Sequence, residues 1–369
     1  MKKILHLTLI MLFAVLICGC FTNKMTAQKN AEVAEPEIDL VEEKLKTLTL
    51  EEKIGQMMLI AVIGKNYDDS VNYMLNAYKI GGFIFFDDNM ETVEQVKNFT
   101  AEIQKNSALP AFIALDEEGG IVARMKHALP PPPSQEIIGA SGDYNLAKVH
   151  AIETAKKLQS IGVNVNFAPV ADVGSNDTRS YSKDAKTVAE FVSSAAQGYE
   201  AENFFYTLKH FPGIGRAKVD PHKDVSVIDV SKTVLEQEDL LPFKKIISER
   251  DNSKFMIMVG HLKYAAIDPQ NPATLSKKIV TDLLRNELNF QGVIVTDSLS
   301  MGAITNHYGY ENVGVEAVKS GADILLVCSE YENSKKVCDG VLNAVKSGEI
   351  SEERINESVR RILKMKLQL

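Results

Sequence analysis

The sequence predicts an α/β fold, a single (β/α)8 TIM barrel, and three observations carry that prediction. Eight short apolar or aromatic runs recur along the chain, stretches of helical period fill many of the gaps between them, and 45% of the 369 residues are hydrophobic against 24% charged. Runs alternating with helical spacers are the pattern of a parallel sheet covered by helices. Most of the runs are continuous rather than alternating, as strands buried on both faces require. With 22 Gly, 12 Pro and 4 Cys in the whole chain, collagenous, low-complexity and disulfide-framework proteins are excluded. A barrel of this kind takes about 250 residues, so the N-terminus has to be accounted for separately.

Taken in order, Met1, Lys2 and Lys3 form a basic start, residues 4–17 are almost uninterruptedly apolar, and Gly19 precedes Cys20. That is the layout of a secretory signal, shorter than the roughly 20 residues needed to span a bilayer. The segment LICGC resembles the bacterial lipoprotein signal, with Ile17 and Gly19 in the marking positions and Cys20 as the residue that would carry the lipid. The expected organisation is therefore a lipoprotein signal over residues 1–19, the lipidated Cys20 and a polar tether over 20–36, and one catalytic domain over 37–369. The expected location is extracytoplasmic, with the membrane as a partner through the lipid anchor. Loss of Lys2 and Lys3 with the signal takes the net charge from −8 to −10, which disfavours nucleic acid as a partner. Cys328 and Cys338 are expected as buried thiols rather than a disulfide, and no zinc-ligand spacing occurs.

An opening helix is expected over 41–51. The eight strands are expected at 57–63, 82–86, 111–115, 163–167, 206–209, 255–259, 293–296 and 323–327, and helices at 144–160, 186–202, 277–288, 309–319, 333–347 and 352–367. Ser351 followed by Glu352 and Glu353, with Lys364 and Lys366 at the far end, suits both poles of the last helix.

In such a barrel the active site is built from the loops that follow the strands. Those loops read DEEGG (116–120), PVADVGSNDTRSY (169–181), KHFPGIGRAKVDPH (209–222), GHLK (260–263) and TDSLSMG (296–302). Carboxylates, His, Arg and Lys converge on one rim, a constellation expected of an enzyme rather than of a structural barrel.

At KHFPGIGRAKVDPH together with VIVTDSLSMGAI the chain resembles glycoside hydrolase family 3, in its bacterial β-N-acetylglucosaminidase branch. LDEEGGIVAR, GVNVNFAPVADV, NPATLS, GADILLVC and RINESVRRILKMK have counterparts in the same order. The resemblance implies retaining hydrolysis through a glycosyl-enzyme intermediate, with no metal or organic cofactor. It implies that Asp297 is the nucleophile, for which the reading from residues alone is a helix N-cap. It implies that His222, oriented by Asp220, is the acid/base on a mobile loop, an imidazole being able to give and take a proton near neutrality. It implies that Asp116, Arg124, Arg179, Lys209 and His210 hold the sugar hydroxyls, a task for which charged hydrogen-bonding groups are suited. The chain departs from the family pattern at Ile121, Ile214, Pro221 and Ser298.

The expected activity is thus that of an exo-acting β-N-acetylhexosaminidase on peptidoglycan-derived or chitin-type glycans, with an N-acetylglucosamine-containing glycan as its partner. The alternatives are a phosphorylase of the same branch and a wall-binding lipoprotein with decayed catalysis.

Overall fold

Capping side chains decide where the first elements begin. The Glu52 N–H donates to the Thr49 hydroxyl while the Thr49 N–H donates to the Glu52 carboxylate, a reciprocal cap. It starts a helix at Leu50–Gln56 and separates it from Leu40–Thr47, which Asp39 caps. The single opening helix expected over 41–51 is therefore two. The structure, a computed structural model, describes residues 39–126, 129–175, 177–217 and 226–369. The signal, Cys20, the tether, and the loop residues Asp220, Pro221 and His222 lie outside the described residues.

Among the described residues ten strands follow: β1 (Met58–Ala61), β2 (Gly82–Ile84), β3 (Phe112–Leu115), β4 (Val165–Asn166), β5 (Phe205–Phe211), β6 (Val227–Ile228), β7 (Phe255–Val259), β8 (Lys263–Tyr264), β9 (Val293–Thr296) and β10 (Leu325–Val327). Eight of them make one parallel sheet in the order β10-β1-β2-β3-β4-β5-β7-β9. A parallel bridge between Val295 and Ile324, with the Thr296 N–H on the Ile324 carbonyl at 3.0 Å, brings β9 back towards β10. The sheet is thereby nearly closed into a barrel, as expected from the eight runs. β6 and β8 pair separately as a two-stranded ribbon, which the sequence reading does not contain.

Two strands differ instructively from expectation. The run at 163–167 keeps only Val165–Asn166 as strand, although the Asn164 and Phe167 N–H groups on either side still donate to the Ile113 and Leu115 carbonyls. The run at 206–209 instead extends to Phe211, with a shift of register between Leu208 and Phe211. There the His210 N–H leaves the ladder and donates to the Asp172 carboxylate at 3.2 Å. The outer layer also contains helices at Asp69–Ala77, Val93–Asn106, Gln135–Ala140, Lys232–Gln237 and Leu241–Glu249, none of which the sequence reading assigned. The four residues of each of β1, β3 and β9 are all buried, so the barrel interior is packed rather than hollow along its strands.

Candidate active site

Every rim loop follows the end of a strand, so side chains far apart in sequence meet over the barrel. Asp116 follows β3, Lys209 and His210 lie in the last part of β5, Asp297 follows β9 and Cys328 follows β10. They line a cavity of about 1110 Å³ together with Arg124, Arg179 and Glu118. Apolar side chains, Val62, Ile63, Ile84, Phe86 and Leu326, share the lining, and the Arg124 guanidinium lies 5.2 Å from the Phe86 ring centre. A cleft with both polar and apolar lining suits a sugar ring, whose edges carry hydroxyls and whose faces do not.

The polar side is organised around Lys209. Its ammonium is 2.6 Å from Asp116 Oδ1 and 2.6 Å from Glu118 Oε1, and its side chain is 2% exposed. Arg124 reaches the other oxygen of Asp116 at 3.2 Å. Arg179 grips Glu118 through two hydrogen bonds, Nε to Oε2 at 2.7 Å and Nη2 to Oε1 at 2.8 Å, the fork geometry that makes such pairs strong. Burial raises the Glu118 carboxyl, but Lys209 and Arg179 outweigh it and bring it down to about 2. The same contest leaves Asp116 below its ordinary value, Lys209 outweighing burial with help from Arg124, and Lys209 above its own, Asp116 and Glu118 outweighing burial. Asp116 keeps 14% of its side chain open against 1% for Glu118, so of these two cavity-lining carboxylates Asp116 is the more open.

Asp172 does for His210 what Glu118 does for Lys209. Its Oδ2 is 2.8 Å from His210 Nδ1, and its Oδ1 accepts from the N–H groups of His210 and Ile214. Burial is again outweighed, chiefly by His210, and the Asp172 carboxyl stays below its ordinary value. The ionised carboxylate takes the Nδ1 hydrogen, which leaves Nε2 as the ring atom available to a ligand.

Asp297 caps no helix. Its Oδ1 accepts from the adjacent Ser298 N–H at 2.7 Å, and the next helix is Gly302–Thr305. It is half-buried on the cavity wall. Burial raises its carboxyl, but His261 and His210, with the Ser298 N–H and Lys209, hold it below the ordinary value. An ionised carboxylate at the end of a barrel strand is chemically able to attack an electrophilic carbon.

Glycine makes the rim loops possible at two places. Gly119 has φ of +100°, and a Cβ there would lie 2.2 Å from the Pro133 carbonyl oxygen; at Gly215 it would lie 1.9 Å from that of Val173. Backbone approach of this kind excludes any side chain.

The structure thus brings Asp116, Arg124, Arg179, Lys209, His210 and Asp297 to one cavity, while Asp220 and His222 lie outside the described residues. Arg179 engages Glu118 through Nε and Nη2, while its Nη1 lies 3.9 Å from Asp177 Oδ2. Sequence reasoning did not single out Glu118, Asp172 or His261, although all three stand in the rim loops it quoted. The two-residue spacing from Asp116 to Glu118 was the available signal for the first. Arg124 Nε and Ser300 Oγ are buried and unpaired among the described residues, and both residues line the cavity. Cys328 and Cys338 are free, Cys338 buried and Cys328 half-exposed on the cavity. Among the described residues no group of three or more His, Cys, Asp or Glu is placed to hold a metal ion, and no helix is long and apolar enough to cross a membrane.

Comparison with known proteins places this geometry. Residues 49–365 match the N-terminal domain of glycosyl hydrolase family 3. A β-hexosaminidase A from Pseudoalteromonas piscicida is 34% identical over 329 residues, which cover 80% of this chain and 54% of that protein. A β-hexosaminidase from Nitrosomonas eutropha is 31% identical over 295 residues, 77% of this chain and 83% of that one. The solved structure of a glycoside hydrolase family 3 β-N-acetylglucosaminidase from Paenibacillus sp. superposes with a TM-score of 0.84 at 36% identity, over 87% of this chain and 62% of that one. The chain therefore spans about half the length of the Pseudoalteromonas relative.

Proposed function

The chain belongs to glycosyl hydrolase family 3, and from that premise we propose that it is an exo-acting retaining β-N-acetylhexosaminidase. Its substrate is a terminal N-acetylglucosamine on a peptidoglycan-derived or chitin-type glycan. The observation that carries this reading is Asp297, its carboxyl held below the ordinary value, on the wall of a cavity that Asp116, Lys209 and Arg124 also line as one charged network.

In this mechanism Asp116, Lys209, His210, Arg124 and Arg179 hold the hydroxyls of the terminal sugar, so the anomeric carbon is presented to Asp297. A carboxylate oxygen of Asp297 forms a bond to that carbon as the glycosidic C–O bond breaks, and His222, oriented by Asp220, gives its proton to the departing oxygen. The same His222 then removes a proton from water, which attacks the anomeric carbon of the ester and releases Asp297 as a carboxylate. The charged network holds its cations in place before the substrate arrives, so little reorganisation is needed as charge develops on the sugar. Lipidation at Cys20 would hold the enzyme at an extracytoplasmic membrane surface, where wall-derived glycans are available.

Hydrolysis of a chromogenic β-N-acetylglucosaminide by the full-length protein and by Asp297→Ala tests the reading. Turnover by the parent and its loss in the variant is the expected result. No turnover by the parent between pH 5 and 8 would favour the wall-binding alternative. Dependence on inorganic phosphate, with release of the sugar 1-phosphate, would favour the phosphorylase.

A further inference from the structure

The cavity lining changes character between its floor and its mouth. Its three cations, Lys209, Arg179 and Arg124, have side chains only 2%, 20% and 26% exposed, and each faces a carboxylate. The exposed residues of the lining, among those described, are Ile63, Ile121, Asp177 and Glu330. Two are apolar, two are carboxylates and none is a cation. Asp177 follows β4 and Glu330 follows β10. These strands are four places apart in the order of eight, so the two carboxylates enter from opposite sides of the barrel.

The charge of the mouth is not cancelled by its surroundings. Asp177 Oδ2 is 3.9 Å from Arg179 Nη1, but Glu118 already grips that guanidinium through two shorter bonds. Over the whole lining six carboxylates, Asp116, Glu118, Asp172, Asp177, Asp297 and Glu330, stand against the three cations and His210. Two cations beside the lining are engaged elsewhere. Arg216, between the lining residues Gly215 and Ala217, is turned to Asp239 and Glu238, and Lys126 lies 3.8 Å from Asp87. Positions 218–225 carry two Lys and two Asp in sequence, so their formal charge is zero with His222 neutral.

In the hydrolysis proposed above the terminal sugar takes the floor, beside Asp297 and Lys209, and the unit it is joined to takes the mouth. In a chitin-type glycan that unit is N-acetylglucosamine, which has no charge. In a peptidoglycan-derived one it is a muramic acid, whose lactyl carboxylate is ionised at neutral pH. A third carboxylate between Asp177 and Glu330 is repelled, whereas a neutral ring can lay an apolar face on Ile63 and Ile121.

We propose that the mouth is a charge filter, in which Asp177, Glu330 and Ile121 select an uncharged N-acetylglucosamine as the leaving unit, and so a chitin-type glycan over a peptidoglycan fragment. This deepens the hydrolase reading and rests on it.

The test compares kcat/KM of the full-length protein on three disaccharides that share a non-reducing N-acetylglucosamine: N,N′-diacetylchitobiose, N-acetylglucosaminyl-N-acetylmuramic acid, and the carboxamide of that acid. The amide keeps the bulk of the acid without its charge. At low salt the amide should exceed the acid by about ten-fold, the repulsion of two like charges at about 6 Å in water-like surroundings. The gap should close in about 1 M salt, where screening acts within about 3 Å. Glu330→Gln should narrow it by about three-fold, and Ile121→Arg, which gives the mouth a cation, should narrow it at least as much. Both positions are exposed, so neither change disturbs packing. Equal rates on acid and amide at low salt, or a preference for the acid over diacetylchitobiose, would overturn the filter and leave the hydrolase reading intact. Failure to turn over even a chromogenic β-N-acetylglucosaminide would overturn both.

Discussion

At the lower end of the barrel, where the strands begin, Asp323 is 0% exposed and is met by Arg285 at 2.7 Å, Arg361 at 3.1 Å and Arg354 at 3.8 Å. Ser358 and the Ile294 N–H also donate to its oxygens. At the upper end four carboxylates, Asp116, Glu118, Asp172 and Asp297, are distributed among Lys209, Arg124, Arg179, His210 and His261 beside a cavity. Both clusters bury charge, and both keep their carboxylates ionised. The difference is in what is left over. Below, one carboxylate is surrounded by donors on all sides, which fixes the packing of the helices that supply them. Above, Asp116 and Asp297 remain partly open and Arg124 Nε and Ser300 Oγ are unpaired among the described residues. That unspent hydrogen-bonding capacity is what a polyhydroxylated substrate can use.

The contrast is broken most severely by removing one carboxylate from each end. Asp297→Ala should lower kcat/KM on a chromogenic β-N-acetylglucosaminide by about 10⁴-fold or more, as loss of a covalent nucleophile does, while leaving thermal stability near that of the parent. Asp323→Ala should do the reverse. It takes the shared carboxylate from three partly buried guanidinium groups, of which Arg354 keeps only Glu357 at 3.8 Å, and urea denaturation should register a loss of about 3–5 kcal/mol. Because the folded pKa of Asp323 lies below its unfolded value, its contribution is present above the ordinary carboxylate range and fades as pH falls through the folded value. The difference between parent and variant should therefore shrink in acid.

Lys209→Met is the next largest expected effect. It takes one cation from Asp116 and Glu118 and should cut kcat/KM by about 10²–10³-fold, the range seen when one preorganised charge-stabilising donor is lost. An effect confined to KM would mean that Lys209 only binds.

Lys366 sharpens the comparison from the lower end, where its ammonium nitrogen is 2.7 Å from Gln56 Oε1 and 2.7 Å from the Gly81 carbonyl oxygen. A neutral amine has two hydrogens for those two acceptors, and burial pushes the group down to about 7. With an ordinary value near 10.4 in the unfolded chain, the unfolded state binds more protons between those limits, so this group makes stability rise with pH there. Lys366→Met should remove about 1 kcal/mol per pH unit from that rise, measured by denaturation between pH 8 and 10. The smallest effect expected is at Cys328, on the upper cavity. Burial first, with Asp116 and Asp297 adding, raises its thiol to about 12, so alkylation by iodoacetamide at pH 7 should be slower than that of a free thiol.

Much of this architecture is legible in the chain because a parallel barrel writes its strands as continuous apolar runs and places its chemistry in the loops after them. Helix Val93–Asn106 was equally legible, through its Thr92 cap and the buried Val96, Phe99 and Ile103, yet was not assigned. Asp323 reads as the first residue of a strand, since the arginines that give it meaning are 38, 31 and 38 positions away in Arg285, Arg354 and Arg361. Glu118 and Asp172 resemble any loop carboxylate until Arg179 and His210 fold against them.

The central claim, that Asp297 attacks the anomeric carbon, is tested most directly by trapping. A 5-fluoro N-acetylglucosaminyl fluoride should slow hydrolysis of the ester enough for the labelled peptide to be isolated and sequenced by mass spectrometry. The account predicts one sugar attached at Asp297. Attachment at Asp116, Glu118 or any other carboxylate would contradict it.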